Sequence, residues 1–271
     1  MTRILAVANQ KGGVGKTTTS VNLAASLVAM KRRVLVIDLD PQGNATTGAG
    51  VDKRAVRDTV YQVLLGERAI ADVRIASPTA GFDLVPANRD LAGAEVELVS
   101  LPERETRLKD ALADALGQMK SAIAQVAPDY DFILLDCPPS LSLLTLNALA
   151  AADGVLVPMQ CEYYALEGLS SLMDTIEALK QRLNPKLKIF GVVRTMFDVR
   201  NNLANAVSGE LTTHFGDKVF RSIIPRNVRV AEAPSHGQSI LGYDKASRGG
   251  IAYLGLAGEL VRREKKHKET A

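Results

Sequence analysis

Short runs of consecutive apolar residues recur along the chain, separated by longer segments with helical spacing. A strand that lacks polar alternation is typical of a sheet buried on both faces. We predict seven such strands, at residues 4–8, 34–37, 82–85, 132–135, 154–157, 189–193 and 219–224. The main helices are predicted at residues 18–30, 104–126, 166–183 and 251–263. The alternation of strands and helices predicts an α/β fold, with a mostly parallel twisted sheet and helices on both faces.

The chain has 271 residues and shows no linker, repeat or low-complexity tract, so we expect one domain over residues 1–271. Residues 39–77 form the least regular segment and are expected to carry loops. No secretory leader precedes the first strand, and no apolar run approaches the roughly 20 residues of a membrane span. We therefore expect a cytoplasmic protein in which Cys137 and Cys161 are buried, reduced thiols.

Charge is distributed unevenly along the chain. Residues 194–271 contain 13 Lys and Arg against 8 Asp and Glu, an excess of +5, whereas residues 1–193 carry 20 against 22, or −2. A basic tail from about residue 262 contributes to this excess. The distribution favours an anionic partner for the last third of the chain, with a solvated basic surface as the alternative.

A glycine-rich segment lies between the first strand and the first helix, where residues 10–18 read Q-K-G-G-V-G-K-T-T. Glycines allow the backbone N–H groups to wrap around phosphates, and the following helix adds its positive N-terminal end. The plain phosphate-loop pattern, G-x-x-x-x-G-K followed by Ser or Thr, fails only at its first position, where Gln10 stands. We predict a site for ATP and Mg²⁺. Its predicted loop residues are Lys11, Gly12, Gly13, Val14, Gly15, Lys16, Thr17 and Thr18.

Several side chains can be assigned roles from their chemistry. Lys16 can reach the β- and γ-phosphates, and the Thr17 hydroxyl can ligate Mg²⁺ directly. Asp136 ends an apolar strand, as a Walker B carboxylate does, and would hold Mg²⁺ through water. Asp38 and Asp40 end a neighbouring strand. Asp40 is the better candidate for a second water-mediated contact with the metal, because it lies further into the loop.

Residues 11–18 resemble the deviant Walker A class of P-loop ATPases, which includes ParA/Soj, MinD and the nitrogenase iron protein. Residues 36–44, 134–140, 224–229 and 232–237 are similar to the chromosomal ParA (Soj) group within that class. The likeness runs from residue 3 to about residue 260. It implies the P-loop NTPase (deviant Walker A) fold and a slow, partner-stimulated ATPase.

The resemblance also implies roles for individual residues. Lys11 is similar to the signature lysine that reaches the partner's phosphates in an ATP-sandwiched dimer, and Asp40 to the aspartate required for hydrolysis. Together with Lys16 these are the expected catalytic residues. The segment that contacts adenine in the family matches Pro225, Arg226 and Asn227.

Two arginines, Arg200 and Arg229, match family residues that hold DNA without reading its sequence. The alternative for either arginine is a surface ion pair, for which Asp198 and Glu232 are nearby candidates. Both arginines fall in the basic last third of the chain.

The function implied by the resemblance is DNA partitioning. We expect a homodimer with ATP, non-specific binding to the double-stranded DNA of the nucleoid, a ParB-like centromere-binding partner and no membrane contact. Because the loop begins at residue 10, no additional N-terminal DNA-reading domain is expected. A MinD-like membrane-associated division-site ATPase is one alternative, but residues 262–268 lack the apolar face that such a tail needs. An iron–sulfur reductase is another, and it needs two cysteines that converge at a dimer axis.

Overall fold

A computed structural model describes residues 2–121 and 130–269 and shows one sheet of eight strands within those ranges. The strands are β1 (Arg3–Val7), β2 (Val34–Asp38), β3 (Ile75–Ala76), β4 (Asp83–Val85), β5 (Phe132–Asp136), β6 (Gly154–Gln160), β7 (Ile189–Phe197) and β8 (Val219–Pro225). Their order across the sheet is β3-β4-β2-β5-β1-β6-β7-β8. Every pair is parallel except β3 with β4, which confirms the predicted mostly parallel sheet.

Helices connect the strands and cover both faces of the sheet. They are α1 (Lys16–Ala29), α2 (Asn44–Gly48), α3 (Val60–Leu65), α4 (Ile70–Val73), α5 (Leu91–Val99), α6 (Arg107–Ser121), α7 (Leu143–Ala151), α8 (Ala165–Arg182), α9 (Asn202–Phe215), α10 (Val228–Glu232), α11 (Ile240–Asp244) and α12 (Arg248–Glu269). None of the described helices is both long enough and apolar enough to cross a lipid bilayer.

The strands are buried on both sides because successive side chains enter two separate cores. Leu5 and Val7 of β1 pack in one core with residues of α1 and α12. Ala6, between them, packs in the other core with residues of α7 and α8. The unbroken apolar runs in the sequence reflect this double burial. Cys137 and Cys161 are buried free thiols, as predicted.

Residues 39–77 carry loops, as expected, and they also contain three short helices that were not predicted, α2, α3 and α4. A capping box begins α3, in which the Thr59 side chain accepts a backbone hydrogen bond and the Gln62 side chain accepts one from the Thr59 N–H. This pattern of Thr followed three residues later by Gln is a helix start signal that the sequence contains. The helix predicted at residues 104–126 begins at Arg107, and its predicted end lies outside the described residues.

Close packing between β7 and β8 depends on Gly191. A methyl group added at this residue would overlap the ring of Phe220 and come within 3.1 Å of the Lys218 carbonyl oxygen. The Phe220 ring is completely buried, and the Arg263 guanidinium lies 3.8 Å from its centroid. The ring is therefore enclosed and has little room to move aside.

We expect Gly191→Ala to lower the free energy of unfolding by about 1–3 kcal/mol, because it overpacks this contact. Urea denaturation measures the change. The matched control is Gly209→Ala in α9, where the added methyl meets no atom within 4 Å. The control should be stabilised by up to about 1 kcal/mol, since alanine favours the helix. Equal stability of the two variants would contradict the packing argument.

Candidate nucleotide-binding site

A cavity of about 870 Å³ lies at the edge of the sheet where the parallel strands end. Segments that follow β1, β2 and β5 line one part of it, and residues at the ends of β7 and β8 line the rest. Binding clefts of open α/β sheets occur at this carboxyl edge. The predicted phosphate loop, the Asp40 segment and residues 225–227 all meet in this cavity.

The loop after β1 wraps around the ammonium group of Lys16. Gly13 and Gly15 have φ of 74° and 85°, in the left-handed region that favours glycine. Lys16 is the first residue of α1, is buried, and donates from Nζ to the Lys11 carbonyl oxygen at 3.0 Å. Burial lowers the pKa of Lys16, while the nearby Asp136 opposes that shift. The Thr195 hydroxyl supports the loop by donating to the Val14 carbonyl at 2.8 Å.

Asp136 accepts hydrogen bonds from two hydroxyl groups of α1. Thr17 Oγ1 donates to Oδ2 at 2.8 Å, and Ser20 Oγ donates to Oδ1 at 2.8 Å. The predicted Mg²⁺ residues Thr17 and Asp136 are therefore in direct contact. Ser20 was not among the predicted site residues, although its spacing of three residues from Thr17 places both on one face of the helix.

Two neighbouring aspartates in the β2 segment have different surroundings. Asp38 is completely buried and accepts from the Thr46 backbone N–H at 2.8 Å and the Thr46 hydroxyl at 2.7 Å. Asp40 is partly exposed, lines the cavity and accepts from the Gln42 N–H at 2.9 Å. Asp38 thus fixes the chain after β2, and Asp40 is the carboxylate that reaches the cavity.

A hydroxyl beside a carboxylate suits Mg²⁺, which prefers oxygen ligands and usually retains several waters alongside substrate phosphates. The described residues contain no group of three or more His, Cys, Asp or Glu that could hold a metal by themselves. The oxygen atoms of Thr17 and Asp136 therefore fit a metal that is bound together with a nucleotide.

Lys11 does not line the cavity, and neither does Val14. The Lys11 Nζ lies 2.6 Å from Oε2 of Glu162, which follows β6, and both side chains are about half exposed. Val14 is buried beneath the loop. The other predicted loop residues, from Gly12 to Thr18, line the cavity.

Pro225, Arg226 and Asn227 line the far end of the cavity. Asn227 Oδ1 accepts from the Val230 N–H at 3.1 Å and so caps α10. Sequence reasoning missed Met196, which also lines this end and has φ of 48°. Backbone in this region is costly for a residue with a side chain and clusters at functional sites.

Arg200 and Arg229 lie on the surface outside the cavity. Arg200 forms a two-point ion pair with Asp198, at 3.0 and 2.8 Å, and this pairing lowers the pKa of Asp198 to about 2. Arg229 lies 3.1 Å from Glu232 and 3.7 Å from Asp244. In the free chain both arginines thus form the surface ion pairs that the alternative interpretation predicts.

Burial and the neighbouring carboxylate of Asp38 raise the pKa of Asp136 above its ordinary value of 3.8, to about 8. Because the pKa in the folded chain exceeds the unfolded value, this group's stabilising contribution is full below about pH 4 and is lost by about pH 8. We expect the free energy of unfolding of the nucleotide-free protein to fall over this interval, and Asp136→Asn to flatten the fall. Urea denaturation across the interval tests this, with the exposed Asp217→Asn as the control. A slope unchanged by Asp136→Asn would contradict the assignment.

Comparisons with known proteins identify relatives over nearly the whole chain. The AAA domain family model matches residues 2–189. The chromosome partitioning protein ParA of Caulobacter vibrioides is 51% identical over 99% of this chain and 97% of its own length. The sporulation initiation inhibitor protein Soj of Bacillus subtilis is 51% identical over 96% of this chain and 99% of its own length.

Among solved structures, a cobyrinic acid a,c-diamide synthase from Mycobacterium smegmatis with bound ADP and magnesium has a TM-score of 0.81. It is 39% identical and covers 98% of this chain and 96% of its own. The partitioning proteins match at higher identity than this synthase. The chain belongs to the ParA/Soj family of chromosome-partitioning ATPases.

Proposed function

We propose that the chain is a single P-loop ATPase domain, spanning residues 1–271, that moves DNA through an ATP-dependent dimer. ATP closes two copies around the nucleotides, and the closed dimer binds duplex DNA without reading its sequence. A ParB-like partner stimulates hydrolysis, and the dimer then opens and releases the DNA. The DNA-bound protein is associated with the nucleoid. The position of Lys11 carries this proposal, since its ammonium lies outside the cavity of its own chain although it belongs to the phosphate loop.

The contacts of the site support binding of ATP with Mg²⁺. Backbone N–H groups of residues 12–16 and the Lys16 ammonium hold the phosphates, and Pro225, Arg226 and Asn227 hold the adenine. A hydroxyl has one donor and two acceptor positions, so Thr17 can ligate the metal while it continues to donate to Asp136. Bound Mg²⁺ neutralises negative charge on the phosphates.

Two side chains are proposed to act on hydrolysis itself. Asp40 faces the cavity and orients the attacking water, with a further water-mediated contact to the metal. Lys11 leaves Glu162 and reaches the phosphates of the second copy, where a cation stabilises the charge that develops in the transition state. Lys16 performs the same function within its own chain.

DNA binding is proposed for Arg200 and Arg229, through contacts with phosphates. Each is exposed and held by a carboxylate, so a phosphate must compete with Asp198 or Glu232 for the guanidinium group. One subunit offers few such contacts. A dimer presents each contact twice, which links DNA affinity to ATP.

We expect Lys16→Ala to abolish tight ATP binding, because no other side chain replaces its ammonium at the centre of the loop. Lys11→Ala should retain ATP binding but lose the ATP-dependent dimer. Equilibrium binding of labelled ATP and light scattering measure the two effects. Lys109→Ala, an exposed lysine of α6, is the control. Normal dimerisation of the Lys11 variant would remove its role across the interface.

We expect Arg200→Glu and Arg229→Glu each to weaken DNA binding while leaving ATP-dependent dimerisation intact. Each phosphate contact contributes about −0.9 to the slope of log affinity against log salt, so one deleted arginine flattens the slope by about two in a dimer. Salt titrations on two unrelated duplexes, with ATP, with ADP and without nucleotide, measure this. The affinity of the wild type for DNA should be high only with ATP and should be the same for both duplexes.

The matched controls are Asp198→Asn and Glu232→Gln, which remove the carboxylate nearest to each arginine and leave Asp244 3.7 Å from Arg229. They should bind DNA at least as tightly as the wild type. An unchanged slope in both arginine variants, or a strong preference for one duplex, would reject this DNA surface.

A further inference from the structure

The amino edge of the sheet, where the parallel strands begin, carries a group of exposed cations. Segments that lead into β2, β7 and β8 reach this edge, and so does the C-terminal part of α12. Six cations of this group, all of them exposed, are Arg33, Lys186, Lys188, Lys218, Arg262 and Lys265. We refer to these six residues as the amino-edge patch.

Backbone and side-chain contacts place these segments next to one another. The Lys188 carbonyl accepts from the Val155 N–H at 2.9 Å, at the start of β6 and β7. The Lys218 carbonyl, at the start of β8, accepts from the Arg263 side chain at 3.1 Å. The end of α12 continues toward β1, since Arg3 and Glu264 form an ion pair at 2.7 Å. The patch therefore extends along one continuous edge of the molecule.

Three acidic side chains at this edge, those of Asp131, Glu264 and Glu259, bind cations that are not in the patch. The exposed Asp217 directly precedes Lys218 and forms no ion pair with it in the described chain. Asp131 pairs with Arg32, and Glu264 pairs with Arg3. Glu259 is occupied by Arg263 and by backbone N–H groups of β8. Among residues 2–114 and 130–266, whose side chains the structure describes, no ion pair involves any of the six patch residues. Arg200 and Arg229, in contrast, are both held by carboxylates.

Favourable contact with helix dipoles does not account for the whole patch. Cations near the C-terminus of a helix are stabilised by its dipole, which explains Lys265 in α12. Lys186 and Lys188 lie beyond the end of α8, in the connection to β7. Their unpaired positive charges carry a repulsive cost that an anionic ligand would relieve.

The absence of apolar side chains favours a polyanion over a membrane surface. The large hydrophobic residues that are exposed in the described ranges include none from residues 31–33, 183–188, 216–218 or 258–266. Stable attachment to a lipid surface requires buried apolar area in addition to charge. Duplex DNA, whose phosphates lie on its outside, needs charge alone.

We propose that the amino-edge patch is a second binding surface for the phosphates of duplex DNA, separate from Arg200 and Arg229. The choice of DNA as the polyanion rests on the proposed function. Because the patch lies at the opposite edge of the sheet from the phosphate loop, it stays accessible in every nucleotide state. It adds a weak, salt-sensitive affinity for DNA that needs no dimer and is too small to prevent release of the DNA when the dimer opens.

The test compares two triple variants with equal changes in charge. The edge variant is Lys186→Gln, Lys188→Gln and Lys218→Gln. The control variant is Arg54→Gln, Arg57→Gln and Lys109→Gln, three exposed cations elsewhere that also lack an ion pair. Affinity for a duplex is measured against salt concentration, with and without ATP, and retained ATP-dependent dimerisation shows that each variant is folded.

Without nucleotide, the edge variant should bind DNA at least tenfold more weakly than wild type at about 50 mM salt. Its salt slope should be flatter by about 0.9 for each lysine that contacts a phosphate. The additional affinity gained with ATP should remain, and the control variant should match wild type. Equal slopes for the edge and control variants would overturn the proposal, even where ATP-dependent binding by wild type upholds the proposed function.

Wild type that gains no DNA affinity from ATP would reject the proposed function instead, while a difference between the edge and control variants without nucleotide would still support the patch. Sedimentation with vesicles of anionic phospholipid provides the remaining arm. If the edge substitutions abolish vesicle binding and leave DNA binding unchanged, the surface is for lipid and the proposal fails.

Discussion

Asp136 accepts hydrogen bonds from Thr17 and Ser20, and this contact joins the end of β5 to the beginning of α1. The sheet makes the contact possible, since β5 lies between β1 and β2 and Asp136 is in register with both Val7 and Asp38. The loop after β1 must therefore pass directly over the Asp136 carboxylate. The positions of Lys16, Thr17 and the cavity all follow from this parallel pairing.

The carboxylates of Asp38 and Asp136 lie in register at the end of a buried sheet and repel each other when both are charged. Hydrogen bonds to different partners stabilise each of them. Asp38 is satisfied by the backbone and hydroxyl of Thr46, and Asp136 by the hydroxyls of α1. Burial raises the pKa of both groups, the charge of Asp38 raises that of Asp136 further, and the charge of Asp40 raises that of Asp38. A cation brought in with a nucleotide relieves this repulsion, which connects the stability of the site to its ligand.

The cations discussed at the two edges of the sheet differ in whether they are paired with carboxylates. At the carboxyl edge, Lys11 is paired with Glu162, and the nearby surface arginines are paired as well. Each of these cations has to leave a carboxylate before it can bind a phosphate, so binding there is conditional. At the amino edge, the six residues of the amino-edge patch form no ion pair with any side chain that the structure describes.

Seven of the eight described strands, the glycine loop and the side chains most suited to phosphate and Mg²⁺ could be predicted from the sequence, whereas the two-residue strand β3 was not predicted. These features are local: a doubly buried strand reads as an apolar run, and a phosphate loop requires glycines at fixed spacing before a helix. The short helices in residues 39–77 were missed because the capping signal at Thr59 is weaker than the irregular composition around it. The preference for Asp40 over Asp38 already followed from the sequence, and the folded structure supplied its reason in the complete burial of Asp38. Three-dimensional contacts alone added Ser20 and Met196 to the site and paired Lys11 with Glu162. Those contacts join residues that lie far apart in the chain or depend on the direction of a side chain, and both are decided by the order of strands in the sheet, which hydrophobic spacing does not encode.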